Sequence, residues 1–133
     1  MTVRAFADTN VPLYALDVDE VKRKKALALL RGNPVISVQV VNEFISVATS
    51  KRKLARPEAN RLAGVMMKRC EVVAMDATMV GEAIALGERF QLSHWDSLIM
   101  AAALRANCDT LYTEDMQHGQ FIDNRLTVIN PFR

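Results

Sequence analysis

The sequence has little of several features that mark specialised classes of protein. Aromatic side chains make up 6% of its 133 residues, and its two cysteines, Cys70 and Cys108, lie far apart with no further cysteine nearby. We therefore expect reduced, structural thiols. No apolar stretch approaches the roughly 18 residues of a membrane span, and the N-terminus has no signal-peptide pattern. These absences predict a cytoplasmic protein.

Strong net charge is also missing, since the formal charge is +2. That value alone does not indicate a nucleic-acid binder, although the bases are concentrated at residues 22–25 and 51–53. Half of the residues are hydrophobic, which excludes a disordered or fibrous chain. The length fits a single domain over residues 1–133 with a sizeable core.

Apolar runs with strand character alternate with segments of helical periodicity. This alternation predicts a parallel sheet with right-handed crossovers. The expected fold is a single-domain α/β/α sandwich with a central, mainly parallel sheet of four to five short strands. Strands are predicted at residues 4–8, 34–38, 71–75, 109–113 and 126–130, the last closing the sheet, and helices at 11–16, 19–30, 39–51, 56–69, 77–91 and 94–104.

Asp8 ends the first predicted strand and is followed by Thr9 and Asn10. In an open α/β sheet, ligands bind at the edge where the strands end. Asp8 is therefore a candidate functional carboxylate. The alternative is that Asp8, Thr9 or Asn10 only caps the next helix.

Glu43 lies within a predicted helix whose surface is broadly apolar. Val40, Val47 and Gln39 are three or four residues away, so the carboxylate borders a buried stripe. Burial of an ionised carboxylate is unfavourable unless it is paired or binds a cation. Either a metal ion or a salt bridge to a distant lysine or arginine must offset the charge.

Asp96 stands near the start of a helix that is apolar nearly all round. Ser93 is a suitable N-cap, and Asp96 three residues later can bond back to it as in a capping box. An acid at this place is also favoured by the helix N-terminus and lies where the ligand-binding edge is expected. Among its neighbours, His94 is expected to be structural and Trp95 to be a packing residue.

A further acid, Asp115, follows the fourth predicted strand, with Glu114 as a weaker candidate beside it. A parallel sheet gathers the ends of its strands at one edge, so four acids should converge there. They repel one another unless a cation neutralises them, and oxygen ligands select Mg²⁺ or Mn²⁺ over zinc. The four are Asp8, Glu43, Asp96 and Asp115.

Such a site suits metal-assisted hydrolysis of a phosphodiester by activated water. The sequence offers no Ser/His/Asp, Cys/His or Walker arrangement and no glycine-rich phosphate loop as a competing chemistry. The acids therefore favour a phosphodiester hydrolase.

Four segments in order resemble the acidic motifs of PIN-domain ribonucleases. They are FADTN at residues 6–10, NE at 42–43, SHWDSLI at 93–99 and YTEDMQHG at 112–119. The resemblance spans essentially the whole chain and is strongest to the VapC-like toxins of type II toxin-antitoxin pairs. It implies an Mg²⁺-dependent endoribonuclease with an RNA substrate, a cognate antitoxin protein and a homodimeric assembly.

Residue by residue, the resemblance makes the four acids the metal-binding catalytic groups. Asn10 and Thr113 match the polar residues that support them, and Thr113 stands two residues before Asp115. Where this chain has His94, many relatives have an aromatic residue. Glu114 is an additional acid to which no role is assigned.

Two readings of another kind remain beside the nuclease. One is a catalytically silent module that binds RNA or sequesters an antitoxin. The other is a phosphoacceptor receiver domain, which also gathers acids at a sheet edge. A receiver needs a lysine after a late strand, and here the last predicted strand runs into Pro131 and Phe132, so this alternative is disfavoured.

Overall fold

A computed structural model describes residues 3–133 of the chain. Over this range it has six strands and six helices. The strands are β1 Ala5–Ala7, β2 Ile36–Ser37, β3 Val72–Val73, β4 Thr110–Tyr112, β5 Phe121–Ile122 and β6 Leu126–Ile129. The helices are α1 Asn10–Tyr14, α2 Glu20–Arg31, α3 Val38–Ser50, α4 Arg56–Arg69, α5 Ala77–Phe90 and α6 His94–Arg105.

The central sheet has four strands in the order β1-β4-β6-β5. β1 pairs in parallel with β4 and β4 with β6, whereas β5 is antiparallel to β6. β2 and β3 form a separate parallel pair, and Val35, just before β2, bridges to Phe6 in β1. The predicted fold class, a single-domain α/β protein with a mainly parallel sheet, is confirmed.

The core is built around a row of side chains across three neighbouring strands. Phe6 lies opposite Leu111, and Leu111 lies opposite Val128. All three are fully buried, as expected for parallel strands covered on both faces. The row fixes the register of β1 and β4, and with it the positions of the residues that follow them.

The same register determines what stands at the carboxyl edge of the sheet. Ala7 and Tyr112, the last residues of β1 and β4, lie opposite one another. The backbone N–H of Asp8 still donates to the carbonyl of Tyr112, at 3.0 Å. Asp8 and Thr113 therefore leave the sheet side by side, although 105 residues separate them in the chain.

α6 brings a third part of the chain to this edge. Its N-cap is Ser93, as predicted, and the hydroxyl accepts a hydrogen bond from the N–H of Asp96 at 3.1 Å. Residues 97–103 are all buried, as expected for a helix that is apolar on nearly every side. Burial of α6 anchors Asp96 in its first turn.

The sheet differs from the prediction at its edge. The segment at residues 126–130 does not close the sheet, because β5 pairs outside β6. β5 has only two residues and follows Gly119, whose φ is +85°, so no alternating pattern in the sequence marks it. β3 is likewise shorter than predicted and spans Val72–Val73.

Cys70 and Cys108 are free thiols, and burial raises the pKa of Cys108 to about 11. Cys108 is therefore not a reactive thiolate of low pKa. None of the helices in residues 3–133 combines the length and the hydropathy that crossing a membrane requires.

Candidate metal centre

Three of the four acids expected at the sheet edge meet in the structure. Asp8 follows β1, Asp96 lies in the first turn of α6, and Asp115 follows β4. One carboxylate oxygen from each lies within 4.8 Å of the other two. Asp8 is buried, Asp96 is half-buried and Asp115 is exposed, so the group opens to solvent on the Asp115 side.

Both oxygens of the Asp8 carboxylate accept hydrogen bonds. Oδ1 accepts from the backbone N–H of Thr9 at 2.6 Å, and Oδ2 accepts from the fully buried hydroxyl of Thr113 at 2.7 Å. The N-cap of α1 is Thr9, which makes no side-chain capping bond. Asp8 is thus oriented towards the acidic group, and the capping alternative does not describe its side chain.

Asp115 is held by the two polar residues that the family resemblance singled out. Its backbone N–H donates to the Thr113 hydroxyl oxygen at 3.1 Å. Asn10 donates from Nδ2 to the Asp115 carboxylate at 3.2 Å. Thr113 therefore links Asp8 to Asp115, because its hydroxyl donates to one and accepts from the other.

Asp96 takes part in only half of a capping box. Its N–H donates to Ser93, but within residues 3–133 no bond returns from the Ser93 N–H to the Asp96 carboxylate. The Asp96 side chain is therefore available to the acidic group, and it projects from the positive end of α6.

The surroundings of Asp8 and Asp96 disfavour ionisation of these two acids. Burial raises the pKa of Asp8 from 3.8 to about 7, against the bonds from Thr113 and Thr9, and the charges of Asp115 and Asp96 raise it further. The pKa of Asp96 is raised as well, mainly by burial and then by the charges of Asp115 and Glu43. Protein groups alone therefore do not stabilise the ionised forms of both Asp8 and Asp96.

The surroundings fit a divalent cation. Among residues 3–133, no lysine, arginine or histidine forms a salt bridge with Asp8, Asp96 or Asp115. The Oδ1 atom of Asn10, whose amide nitrogen contacts Asp115, is buried and has no hydrogen-bond partner. The three carboxylates form a donor set that suits a hard, oxygen-preferring cation.

Glu43 stands beside this group and not within it. Its carboxylate accepts from Gln39 Nε2 at 2.7 Å and from the Thr9 hydroxyl at 3.2 Å. The distant lysine or arginine considered as an alternative is not found among the described residues. Two neutral donors hold Glu43, and its negative charge contributes to the raised pKa of Asp96.

Residues 5–121 of the chain, which include this group of acids, match the family model of the PIN domain. The chain belongs to the PIN domain family. The match covers most of the sequence and contains all four acidic motifs that suggested the resemblance.

Solved structures similar to this PIN domain include toxin-antitoxin proteins. One is a toxin-antitoxin complex from Klebsiella pneumoniae, with a TM-score of 0.71 and 19% identity over 96% of this chain and 98% of that chain. VapBC-1 from nontypeable Haemophilus influenzae has a TM-score of 0.69 and 17% identity, covering 98% and 100% of the two chains.

A third similar structure is VapC20 from Mycobacterium tuberculosis, described as a toxin that cleaves the sarcin-ricin loop. Its TM-score is 0.65, with 16% identity over 80% of this chain and 86% of that chain. At these identities the structures establish a shared fold. The comparison with curated proteins gives no match.

The additional acid of this PIN domain, Glu114, is not part of the group formed by Asp8, Asp96 and Asp115. The Tyr14 hydroxyl lies 2.8 Å from both oxygens of its carboxylate. Burial, followed by the bond to Glu114, raises the pKa of Tyr14 to about 12. Glu114 therefore ties the loop after β4 to α1, next to Asp115.

Residue patterns alone did not identify three neighbours of the site. Thr9 and Gln39 hold Glu43, and the only signal for Gln39 is its spacing of one helical turn before Glu43. Trp95 is not the packing residue that was expected, since 64% of it is exposed. Its indole meets the His94 ring edge to face, with the ring centroids 5.8 Å apart.

Proposed function

We propose that this PIN domain is a metal-dependent endoribonuclease that acts as the toxin of a toxin-antitoxin pair. The observation that carries the proposal is the group formed by Asp8, Asp96 and Asp115, which lacks a compensating base among residues 3–133. Membership of the PIN family and structural similarity to toxin-antitoxin proteins support the biological setting.

In this proposal, Asp8, Asp96 and Asp115 hold the cation, which is Mg²⁺ with Mn²⁺ as a substitute. A bound ion would offset the negative charges of the three acids and would supply Lewis-acid activation of water and of the phosphate. Thr113 and Asn10 orient the carboxylates through the bonds described above. Glu43 is the fourth catalytic acid and acts from beside Asp96.

Two basic side chains are suited to guiding RNA towards the site. Lys22 Nζ lies 4.9 Å from the centre of the Tyr14 ring, and Arg52 Cζ lies 5.8 Å from it. The two basic clusters seen in the sequence thus each place one cation beside the residue that holds Glu114. Arg52 also pairs with Asp17 at 2.9 Å, which leaves Lys22 as the more available contact for phosphate.

An antitoxin protein is the proposed partner, because the similar structures include toxin-antitoxin complexes. The homodimer that the resemblance implies is also part of the proposal, and light scattering of the purified protein tests it. Expression of the wild-type chain alone should arrest bacterial growth, whereas Asp8→Asn should not.

The direct test is cleavage of a mixed single-stranded RNA by purified, antitoxin-free protein. It compares Mg²⁺, Mn²⁺ and chelator, with Asp8→Asn beside the wild type. Asp123→Asn is the matched control, because it removes the same charge from an exposed residue paired with Arg89. We expect metal-dependent cleavage by the wild type and the control, and none by Asp8→Asn.

Full cleavage in chelator, or by a folded Asp8→Asn protein, contradicts the proposal. Binding of RNA without any metal-dependent product favours the silent RNA-binding module instead.

A further inference from the structure

The side-chain amide of Gln39 connects two parts of the site that are far apart in sequence. Gln39 is in the first turn of α3 and is only 6% exposed. Its Nε2 atom donates to Glu43 Oε1 at 2.7 Å and to the backbone carbonyl of Trp95 at 3.2 Å. Trp95 directly precedes Asp96, so one amide group joins the Glu43 carboxylate to the first turn of α6.

The orientation of this amide follows from its partners. A carboxylate and a backbone carbonyl can only accept hydrogen bonds, so the NH₂ group must face both of them. The Gln39 oxygen then points elsewhere, and it is buried without a partner. A buried oxygen without a hydrogen-bond partner is unfavourable. The NH₂ group of Gln39 is therefore the part of the amide that forms hydrogen bonds at the site.

The two donors to Glu43 also differ. The bond from Gln39 is 2.7 Å, and the bond from the Thr9 hydroxyl to the other carboxylate oxygen is 3.2 Å. Shorter bonds to an ionised acceptor are the stronger ones. Because a glutamate side chain has three rotatable bonds, loss of the Gln39 contact frees Glu43 to turn away from Asp96.

We propose that Gln39 is a positioning residue, whose amide fixes the Glu43 carboxylate against the start of α6 so that Glu43 faces the acidic group. This role rests on the proposed nuclease function of that group. Gln39 touches neither Asp8 nor Asp115 by hydrogen bond and acts through Glu43.

The test is a double-mutant cycle on RNA cleavage, using Gln39→Leu, Glu43→Ala and both together. Gln39→Leu removes the amide donor and the unpaired oxygen, and it puts an apolar side chain of similar size in their place. We expect kcat to fall about tenfold with KM nearly unchanged, as for other residues that orient ligands. In the Glu43→Ala background, followed under single-turnover conditions, Gln39→Leu should have no further effect.

Thr49→Val is the matched control for a polar deletion in α3. The Thr49 hydroxyl donates only to carbonyls of its own helix, those of Ile45 and Ser46. The kcat of Thr49→Val should equal that of the wild type. A wild-type kcat for Gln39→Leu, or the same loss in both backgrounds, overturns the proposal. Gln39→Met, which is unbranched like glutamine, replaces the leucine variant if that variant does not fold.

The same cycle on urea unfolding separates this proposal from the proposed function. If the wild type cleaves no RNA, the nuclease proposal fails, but the Gln39 and Glu43 variants still report on their bond. Non-additive losses of stability are expected for a direct contact. Additive losses overturn the positioning role whatever the substrate is.

Discussion

At the scale of single residues, Asp8 is a buried acid held at a site of high negative charge. Burial and the neighbouring carboxylates raise its pKa to about 7, even though Thr9 and Thr113 both donate hydrogen bonds to it. An acid with a higher pKa in the folded state than in the unfolded state binds more protons when folded. Its contribution to stability therefore falls as the pH rises from about 4 to about 7.

This predicts the pH dependence of the metal-free protein. The shift of the Asp8 pKa from 3.8 to about 7 corresponds to about 4 kcal/mol in the free energy of unfolding. This contribution is present at low pH and is lost above neutrality. Asp8→Asn should therefore be more stable than the wild type at pH 7.5 in chelator, and the gap should close near pH 4. Urea unfolding at several pH values measures this, with Asp123→Asn, which changes an exposed carboxylate, as the control.

Thr113 gives a second residue-scale prediction. Thr113→Val removes the hydroxyl that donates to Asp8 and accepts from the N–H of Asp115. The buried Asp8 carboxylate and the part-buried N–H of Asp115 each lose a partner, so the free energy of unfolding should fall by about 2 kcal/mol, and cleavage should be lost. Thr113→Ser keeps the hydroxyl and should retain most of both. Equal behaviour of the two variants would show that the hydroxyl has no such role.

At the scale of secondary-structure elements, α5 and α6 are held close by a glycine. A methyl group added at Gly87 would lie 2.7 Å from Oγ of the buried Ser97, closer than real contacts allow. That hydroxyl donates to the carbonyl of Ser93, the residue that caps the helix bearing Asp96. The packing of α5 on α6 thus bears directly on the acidic group.

Gly87→Ala should therefore destabilise the protein by about 1 to 3 kcal/mol, as overpacking does. Ser97→Ala removes the oxygen that clashes, so the double variant should recover part of this loss. Gly64→Ala in α4 is the control, because nothing lies within 4 Å of an added methyl group. It should stabilise by up to about 1 kcal/mol. Urea unfolding of the four variants decides, and a neutral Gly87→Ala contradicts the account.

At this scale, the sequence predicts most elements but few of their cross-connections. α6 could be predicted because Ser93 precedes a long apolar run, and β1 because its apolar residues end at Asp8. The contact of Gln39 with Trp95 joins residues 56 positions apart, and no local pattern encodes it. The exposure of Trp95 likewise depends on which surface of α6 the rest of the chain leaves uncovered.

At the scale of the whole molecule, the convergence of Asp8, Asp96 and Asp115 follows from parallel topology. The alternation of strands and helices was sufficient to predict one shared edge, and the structure brings these three acids to it. The place of Glu43 outside the group was not predictable, because it depends on the packing of α3 and on bonds from Thr9 and Gln39.

Because the net charge is only +2, electrostatic attraction of RNA must come from local clusters of basic residues. We predict that Lys22→Ala raises KM for RNA, leaves kcat unchanged and reduces the slope of log affinity against log salt by about one. Lys68→Ala, an exposed lysine at the end of α4, is the control. Cleavage rates over a range of salt concentrations measure both variants. Identical salt slopes for wild type and Lys22→Ala would remove Lys22 from the RNA path.

The most direct test of the central claim is calorimetric titration of the metal-free protein with Mn²⁺. We expect binding by the wild type and by Asp123→Asn. We expect a loss of affinity of more than about tenfold in each of Asp8→Asn, Asp96→Asn and Asp115→Asn, since each removes the negative charge of one ligand. Absence of binding by the wild type, or unchanged affinity in the three folded variants, would contradict it.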